Sequence, residues 1–424
     1  MTYHQALELL FSTKAYSAKP DLSRIRQLLY EMGEPQKKLK FVHVTGTNGK
    51  GSTVAMVSSV LTHAGFKTGA FQSPHLERFN ERLSINGQNI TDAALIRLIC
   101  DMQPYLNALI AGGHAHTTFF ETLTAMAFKY WADNDCEIVV LEVGMGGETD
   151  ATNIIDTPLI AMITAMSLDH VRVLGPAISD IARQKCGIIK RGCTFIDYAL
   201  QDPSAKSVIK SACANLAVPY ITPDPSALSI AHSGLNGTNF TYKGLCVSVP
   251  LSGAHQPYNA IGAIEALWAL RGMGYAITDA QIIQGIANTR MPGRLEILRE
   301  TPLCIIDAAH NVAAIQRLCQ AVDAFMPKPI IAVMGMLKDK DYAPCIAQIA
   351  KRAAAFIATT PDSPRALCPG QTAQIAKEYT QTLQRENIES AVDEGLRLAA
   401  QMGATLLICG SLHVIGRART HLTQ

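Results

Sequence analysis

The sequence predicts an α/β fold in two domains, and three observations lead to this prediction. The chain has 424 residues, which is longer than one hydrophobic core usually serves. Short apolar runs alternate with longer amphipathic segments, the pattern of parallel sheets covered by helices. The alternation is interrupted by the turn-rich segment 288–293 (NTRMPG) and then restarts. We therefore expect a first domain over residues 1–290 and a second, Rossmann-like α/β domain over residues 291–424.

Five apolar runs in the first domain predict strands, and five longer periodic segments predict helices. The strands are predicted at Phe41–Val44, Thr68–Phe71, Glu137–Val143, Leu159–Thr164 and Thr194–Asp197. The helices are predicted at Ser52–Ala64, Asp92–Ala111, Phe119–Ala132, Ile178–Cys186 and Asn259–Gly272. The third strand is almost continuously apolar, as a central parallel strand should be. The segment Ile221–Val249 is rich in Ser, Gly, Asn and Thr and predicts a small antiparallel subsheet.

The second domain repeats the alternation of strands and helices on a smaller scale. Its strands are predicted at Leu303–Asp307, Ile330–Met334, Phe356–Thr359 and Thr405–Cys409. Its helices are predicted at Val312–Phe325, Tyr342–Lys351, Gln371–Tyr379 and Ser390–Gln401. This order again predicts a parallel sheet.

The composition excludes several classes of protein. A net charge of +2, from 37 basic and 35 acidic residues, gives no field that would hold nucleic acid. The N-terminal segment lacks the pattern of a secretory signal, and no apolar stretch is long enough to span a membrane. The 11 cysteines are scattered without CxxC pairs, which argues against a disulfide framework or a zinc ribbon. We expect a cytoplasmic protein, monomeric by default, with no nucleic-acid or membrane partner.

A glycine-rich turn joins the first predicted strand to the first predicted helix, in FVHVTGTNGKGSTVAMVSSVLTHAG (residues 41–65). Gly46, Gly49 and Gly51 allow backbone N–H groups to converge on one point, and Lys50 adds a full positive charge. A helix start beside them adds its positive dipole end, so this turn is suited to an anionic phosphate. The alternative is a turn that only caps a helix, but a lysine and three glycines at one strand–helix junction favour phosphate binding.

Glu142 stands near the end of the central apolar strand. A carboxylate in such a position is costly unless it is paired or bound to a cation. Mg²⁺ prefers carboxylate and water ligands, so Glu142 is a candidate ligand, with a salt bridge to a neighbouring lysine as the alternative. Ser73 follows another predicted strand and would lie at the same carboxyl edge of the sheet, where α/β proteins place their sites.

The motif TGTNGKGS, with Gly directly after Lys, resembles the variant phosphate loop of the Mur-ligase-like superfamily and, within it, of the folylpolyglutamate synthase and dihydrofolate synthase branch. Further motifs in the expected order extend the resemblance over about residues 40–417. They are SPH…ER at 73–82, LEVGMGGETDATN at 141–153, DH at 169–170, GAHQPYNA at 253–260, MPGR at 291–294, DAAHN at 307–311, GMLKDKD at 335–341 and CGSLH at 409–413.

The resemblance implies roles for individual residues. Lys50, His170, Lys185 and His310 would be catalytic, and Lys185 would be carbamylated. Ser73, Glu142 and His170 would hold metal, with two Mg²⁺ sites in all, and Ser411 would lie near the glutamate site. ATP would be bound by Gly46, Thr47, Asn48, Gly49, Lys50, Gly51, Ser52, Asn259, Arg294 and Asp307.

Several of these positions have simpler interpretations from the residues alone. Asn259 could be only the N-cap of a helix, Lys185 a solvated lysine near a helix C-terminus, and Asp169–His170 an ordinary loop pair. We add Arg82 and Phe120 as candidate folate contacts, with stacking on the pterin or benzoyl ring as the role of Phe120 and core packing as its alternative.

The chain departs from the pattern of the family at three places. Glu148 stands where arginine is usual, Val171 and Arg172 follow Asp-His where polar residues are usual, and Val312 replaces a proline. Glu148 replaces a cation near the phosphates or substrate by an anion, which puts some substrate contacts in doubt.

The activity that the resemblance implies is ATP-dependent addition of L-glutamate to the γ-carboxylate of a tetrahydrofolate through an acyl phosphate. The same enzyme would also add glutamate to dihydropteroate if it is bifunctional. One alternative is a Mur-type cell-wall ligase, but the extra UDP-binding domain is not expected in the roughly 40 residues before the loop. A P-loop switch or motor would lack Arg294, Asp307 and His310. A diverged nucleotide-binding protein without catalysis is the third alternative.

Overall fold

The computed structural model of the chain describes residues 1–12 and 21–423. Residues 13–20 belong to the N-terminal segment that lacks the pattern of a secretory signal, and they lie outside the described residues. The described residues form an eight-stranded, a three-stranded and a six-stranded β-sheet, with helices between the strands.

The largest sheet contains the first eight strands of the chain. They are β1 (Phe41–Thr45), β2 (Thr68–Phe71), β3 (Leu83–Ile85), β4 (Gln88–Asn89), β5 (Ile138–Glu142), β6 (Ile160–Ile163), β7 (Thr194–Ile196) and β8 (Tyr220–Ile221). Their order is β4-β3-β2-β5-β1-β6-β7-β8, and all neighbours are parallel except in the hairpin of β3 and β4 and its pairing with β2. Every residue of β1, β5 and β6 is buried, which accounts for their apolar sequences.

The other two sheets follow in chain order. The predicted subsheet is an antiparallel sheet of β9 (Leu228–Gly234), β10 (Gly237–Tyr242) and β11 (Leu245–Val249). The third sheet consists of β12 (Glu296–Glu300), β13 (Leu303–Ile306), β14 (Ile330–Met334), β15 (Ala355–Ala358), β16 (Gln381–Gln384) and β17 (Thr405–Cys409). Its order is β12-β13-β17-β14-β15-β16, parallel except for β12.

Fifteen α-helices connect and cover these sheets in the described part of the chain. In the first half they are α1 (Tyr3–Phe11), α2 (Ser23–Glu31), α3 (Lys50–His63), α4 (Asp92–Ala111), α5 (Phe119–Asp133), α6 (Val171–Leu174), α7 (Ile178–Cys186) and α8 (Pro203–Leu216). They continue with α9 (Gln256–Gly272), α10 (Asp279–Ala287), α11 (Val312–Phe325), α12 (Tyr342–Ala350), α13 (Pro369–Ala376), α14 (Ile388–Met402) and α15 (Leu412–Thr423). None of the described helices is long and apolar enough to cross a membrane.

The predicted α/β fold class with an antiparallel subsheet and a second α/β sheet is confirmed. All predicted strands and helices are present, with ends that differ from the prediction by a few residues. Apolar clusters pack around the first two sheets, and separate clusters pack around the third. The boundary predicted at residue 290 falls between α10 and β12 and stays a prediction.

Sheet topology decides where the functional side chains meet. In the first sheet β1 lies between β5 and β6, with Val44 beside Glu142 and Thr45 beside Ile163. The loops that follow these three parallel strands therefore leave from one edge. In the third sheet, β13 and β14 flank β17, so their carboxyl ends also share an edge.

Candidate active site

The glycine-rich loop lies between β1 and α3, and α3 begins at Lys50. The N–H groups of Thr47 and Asn48 donate to the carbonyl of Ala165 at 3.0 and 3.1 Å, which ties the loop to the residues after β6. Within the described part of the chain, the Lys50 ammonium donates only to loop carbonyls, at 3.1 Å to Gly46 and 3.4 Å to Thr47. These weak contacts leave its charge available to a phosphate at the start of the helix.

At two positions of the loop, neighbouring side chains leave no space for a Cβ atom, so only glycine fits. A Cβ on Gly46 would lie 1.9 Å from Oγ1 of Thr164, and a Cβ on Gly49 would lie 2.7 Å from Oδ1 of Asn259. Both glycines also have positive φ angles, of 152° and 94°. The loop thus has a fixed shape that only glycine permits at these positions.

Asn259 supports the loop from the opposite side. Helix α9 begins at Gln256, with His255 at the N-cap, so the alternative that Asn259 is an N-cap is wrong. Its amide nitrogen donates to Oε1 of Gln256 at 3.0 Å, and its side chain is buried against Gly49.

Glu142 ends β5 and is only 5% exposed. Its Oε2 accepts a hydrogen bond from the Ser73 N–H at 3.3 Å, so the two predicted metal ligands are neighbours. Burial raises the pKa of the carboxyl, whereas the positive charges of Lys50 and Arg294 act in the opposite direction. Within the described residues no salt bridge joins Glu142 to a lysine, which was the alternative.

Asp169 and His170 follow β6 at the same edge. Asp169 binds two residues from the other side of the cleft, the Lys340 ammonium at 2.9 Å and the Asn311 amide at 3.1 Å. Burial would raise the pKa of Asp169, but the charge and hydrogen bond of Lys340 outweigh burial and lower it to about 2. His170 has a left-handed backbone with φ 51°, and its ring is half-exposed towards the cleft.

Lys185 is buried, with 3% of its surface exposed, so the alternative of a solvated lysine is wrong. Its Nζ donates to the carbonyl of Gly46 at 2.8 Å, directly beneath the loop. Burial and then the charge of Lys50 lower the pKa of Lys185 to about 7. A large fraction of this amine is therefore neutral near neutral pH.

Four predicted site residues lie after residue 290, namely Arg294, Asp307, His310 and Ser411. Asp307 follows β13, and its oxygens accept from the N–H groups of Leu295 at 3.0 Å and Ala309 at 2.8 Å. Burial raises the pKa of Asp307, and the charge of Arg294 opposes this. No hydrogen bond or ion pair of Arg294 to another described residue is observed, so its guanidinium is free to bind a ligand.

His310 lies at the start of the turn before α11, and burial lowers its pKa to about 4. Its Nδ1 is 2.8 Å from the carbonyl of Ala308. Because a carbonyl can only accept, Nδ1 carries the proton and Nε2 presents a lone pair.

Most of the predicted site residues line one cleft between the first and third sheets. The cleft is lined by Gly46, Thr47, Asn48, Gly49, Lys50, Gly51, Ser52, Ser73, Glu142, His170, Lys185, Arg294, Asp307 and His310. Asn259, Arg82, Phe120 and Ser411 are not among its lining residues, although Asn259 packs directly under the loop.

Arg82 and Phe120 are not among the residues that line the cleft, although the positive charge of Arg82 acts on the cleft residue Glu142. The Arg82 Nε donates to Nδ1 of His75 at 2.8 Å, and its guanidinium stacks over Phe79 and Phe119. Phe120 packs edge-on against Phe71 at 5.9 Å, and its ring tip contacts Gly144 in the loop after β5. This packing favours the structural alternative for Phe120, while the folate role of both residues stays a prediction.

Ser411 is buried between β17 and α15, where its Oγ accepts from the N–H of His413 at 3.2 Å.

Two of the departures from the family pattern change a charge, and both residues lie outside the lining of the cleft. Glu148 has an exposed side chain and uses its backbone to bind α7, and Arg172 is exposed on α6. Helix α11 begins at Val312, where the family has proline, and Asn311 caps the helix there.

The sequence interpretation missed four polar residues at the cleft. Asp169 and Arg317 line it, and Lys340 and Asn311 hold Asp169 from the opposite side. Asp169, Asn311 and Lys340 lie inside recognised motifs and could have been assigned. Arg317 has no such signal, since one arginine on a helix face resembles any solvated charge.

The residues present fit a hard divalent cation held mainly by water and phosphate. The described residues contain no cluster of three or more His, Cys, Asp or Glu that could hold a metal ion. A buried carboxylate with one N–H partner, a neighbouring serine and a histidine at the same edge match the few protein ligands that Mg²⁺ usually takes.

Comparison with known proteins places this geometry in a family context. The Mur ligase middle domain matches residues 44–267, and the Mur ligase glutamate ligase domain matches residues 293–412. A dihydrofolate synthase/folylpolyglutamate synthase of Bacillus subtilis is 33% identical over 434 residues, which cover 99% of each chain. A folylpolyglutamate synthase of Lacticaseibacillus casei is 35% identical over 377 residues, which cover 87% of each chain.

Solved structures give the same result. A Mycobacterium tuberculosis folylpolyglutamate synthase complexed with ADP and AMPPCP superposes with a TM-score of 0.90 and 30% identity, covering 100% of this chain and 98% of that one. A folylpolyglutamate synthase complexed with AMPPCP and folate superposes with a TM-score of 0.85 and 30% identity over all of both chains.

Proposed function

The chain belongs to the folylpolyglutamate synthase and dihydrofolate synthase family of the Mur ligases, which are ATP-dependent ligases, and on this premise we propose how its residues carry out the ligation of glutamate to folate. The observation that supports the proposal most directly is the single cleft. In it a phosphate loop, a buried carboxylate and a free arginine converge from two sheets.

The first step is transfer of the ATP γ-phosphoryl group to the γ-carboxylate of the folate. A carboxylate alone does not condense with an amine because its oxygen is a poor leaving group, and the acyl phosphate corrects this. The N–H groups of residues 49–52 at the start of α3 and the Lys50 ammonium would neutralise charge on the phosphates. Arg294 has no hydrogen bond or ion pair to residues 1–12 or 21–423 and would bind the phosphates from the other side of the cleft.

Mg²⁺ would be held by Glu142, Ser73 and His170, with phosphate and water completing its shell. When bound it supplies charge neutralisation for the phosphates. We propose that Lys185 is carbamylated, because its amine has a pKa of about 7 and lies beneath the loop. The carbamate would place a negative charge close to Lys50 and the metal. The unmodified ammonium would repel both of these positive charges.

The second step is attack of the glutamate amine on the acyl phosphate, which releases phosphate. His310 is neutral and presents the lone pair of Nε2, so it can accept a hydrogen bond from the incoming amine without adding charge. Contacts across the cleft, such as Asp169 with Lys340, would keep water from the acyl phosphate.

The test is product formation from ATP, Mg²⁺ and L-glutamate with tetrahydrofolate or dihydropteroate as acceptor. We expect release of one phosphate for each glutamyl mass added to tetrahydrofolate, with loss of activity when EDTA removes Mg²⁺. Glu142→Gln should raise the Mg²⁺ concentration needed for half-maximal activity. ATP turnover without any conjugate, or ATP binding without turnover on either acceptor, would contradict the ligase assignment.

Dihydropteroate is the second acceptor to test, since relatives that cover the whole chain are named dihydrofolate synthase/folylpolyglutamate synthase. A glutamyl mass added to dihydropteroate would establish both activities in one site. We also propose a cytoplasmic location, because all 11 cysteines are free thiols, as expected in a reducing compartment.

A further inference from the structure

A second cavity of about 700 Å³ opens beside the nucleotide cleft. The two share Gly51, Ser73, Glu142 and Arg294, so the second cavity begins at the predicted metal ligands. From there it extends between the outer face of α3, the β3–β4 hairpin and residues 288–292. Its volume is that of a typical ligand pocket, and no role has been given to it above.

The walls of this cavity are rich in side-chain amides. Five side-chain amides line it, from Gln72, Asn86, Gln88, Asn89 and Asn288. Among the described residues that line it there is no Phe, Tyr or Trp. The one aromatic ring among these described residues is that of His63, so a pterin would find little to stack on. The side chains of Gln88, Asn89 and Asn288 have no hydrogen bond to the described residues and could bind a chain of amides and carboxylates.

The unpaired charges of the cavity are positive. Glu81 lines it, but its carboxylate already accepts from the N–H groups of residues 76, 77 and 78 at 2.6 to 2.9 Å. Glu142 faces the predicted metal. Arg290 is exposed on the wall, and, like Arg294, it shows no hydrogen bond or ion pair to the described residues.

We propose that this cavity, the tail cavity, binds the γ-linked glutamyl chain of the acceptor, with Arg290 paired to an α-carboxylate of that chain. This inference rests on the proposed function. Each round of ligation leaves a new terminal γ-carboxylate, so the product can return as a substrate that is longer by one amide and one carboxylate. That growing segment must lie next to the reacting carboxylate, and the tail cavity, with its amides and its unpaired arginines, starts there.

Arg290 and Gln88 together allow a test by charge. Arg290 carries a guanidinium suited to a carboxylate, and Gln88 is an exposed residue that lines the cavity from β4. Neither is part of the phosphate loop or a predicted metal ligand. Changing the charge at either place should alter the preference among acceptors of different length.

The experiment compares kcat/KM for tetrahydrofolate monoglutamate and triglutamate at saturating ATP and L-glutamate. Arg290→Gln should lower the triglutamate-to-monoglutamate ratio by about five- to tenfold, as expected for loss of one charge-assisted contact. Gln88→Glu should lower the ratio and Gln88→Lys should raise it. Arg97→Gln removes an exposed arginine on α4, away from both cavities, and should leave the ratio unchanged.

The outcomes separate this inference from the proposed function. Wild-type activity on the monoglutamate tests the ligase assignment alone. If the wild type is active but Arg290→Gln and both Gln88 variants keep the wild-type ratio, the tail cavity does not bind the glutamyl chain. If Arg290→Gln instead raises the KM for free L-glutamate equally with every acceptor, the cavity binds the incoming amino acid and the inference is wrong.

Discussion

At the scale of single residues, the protonation state of Lys185 decides whether the proposed carbamate can form. An ordinary lysine with a pKa near 10.4 is a neutral amine in only about one molecule in 2,500 at pH 7. The pKa of Lys185 is lowered to about 7, so about half of its amines are neutral at that pH. Only the neutral amine reacts with CO₂.

We therefore predict a carbamate carbon signal in the NMR spectrum of the protein in ¹³C-bicarbonate. The signal should grow as the pH rises from 6 to 8, because the neutral fraction increases through the pKa. Lys185→Gln should lack it, and Lys190→Gln, which changes another lysine hydrogen-bonded to backbone carbonyls, should retain it. A signal of equal size in Lys185→Gln would contradict the assignment.

At the scale of one element, the loop between β1 and α3 should respond differently at two glycines. At Gly46 a Cβ would meet Oγ1 of Thr164 at 1.9 Å, in a backbone conformation that alanine avoids. At Gly51 the nearest atom to a Cβ would be the terminal methyl of Met291 at 2.8 Å, and that flexible side chain can move.

Gly46→Ala should therefore lower the melting temperature and abolish nucleotide binding, whereas Gly51→Ala should change stability by less than about 1 kcal/mol. Thermal unfolding followed by circular dichroism, together with calorimetric titration of ATP, measures both effects. Equal losses in the two variants would mean that the contact with Thr164 does not set the loop conformation.

The contacts of Asp169 join elements from the two sides of the cleft. Its folded pKa of about 2 lies below the unfolded value near 3.9, so its stabilising contribution is complete above about pH 4 and is lost as the pH falls through 2. Allowing for solvent screening at this partly buried pair, the contribution is about 1–2 kcal/mol.

Asp169→Asn should lower the free energy of unfolding by that amount at pH 6, with a difference from wild type that shrinks by roughly half at pH 3. Urea unfolding at the two pH values measures it. Asp323→Asn is the matched control, because Asp323 pairs with Arg352 at an exposed site and should cost less. A difference that does not depend on pH would show that the ionised form is not the stabilising one.

Sequence patterns predicted the long elements well and the short ones poorly. Helix α4 and strand β14 have the predicted ends, because periodic apolar residues and clear caps mark them. Strands β4 and β16 were not predicted, since Gln88–Asn89 and Gln381–Gln384 are polar edge segments without a buried face. Their structure comes from the neighbouring strand rather than from their own residues.

The candidate site was predictable where a motif carries chemistry in consecutive residues. The phosphate loop and Glu142 could be inferred from local sequence and burial alone. The pairing of Asp169 with Lys340 joins residues 171 positions apart, and no local pattern gives that contact. Arg290 and the amides of the tail cavity were also missed, since isolated polar residues on surface loops carry no signal until the fold brings them together.

At the scale of the whole molecule, the cleft lies between two separately packed parts. Apolar clusters surround the first and second sheets, and other clusters surround the third sheet. Leu76 and Leu235, from the part of the chain before residue 290, pack against the clusters of the third sheet. A nucleotide held by the loop on one side and by Arg294 on the other would link these parts. Ligand binding should then stabilise both, by about 2.7 kcal/mol in total at a ligand concentration of 100 times Kd.

Differential scanning calorimetry with a non-hydrolysable ATP analogue and Mg²⁺ should show this link. In wild type we expect the analogue to raise the unfolding temperature of the whole molecule. Arg294 has no protein partner in the described residues, so Arg294→Gln should fold normally yet lose the stabilisation of the part after residue 290, leaving a separate transition that the analogue does not shift. Arg365→Gln, at an exposed ion pair with Asp339, should behave as wild type. If the analogue shifts the unfolding of Arg294→Gln as one unit, the two parts are joined by their direct contacts and not by the nucleotide.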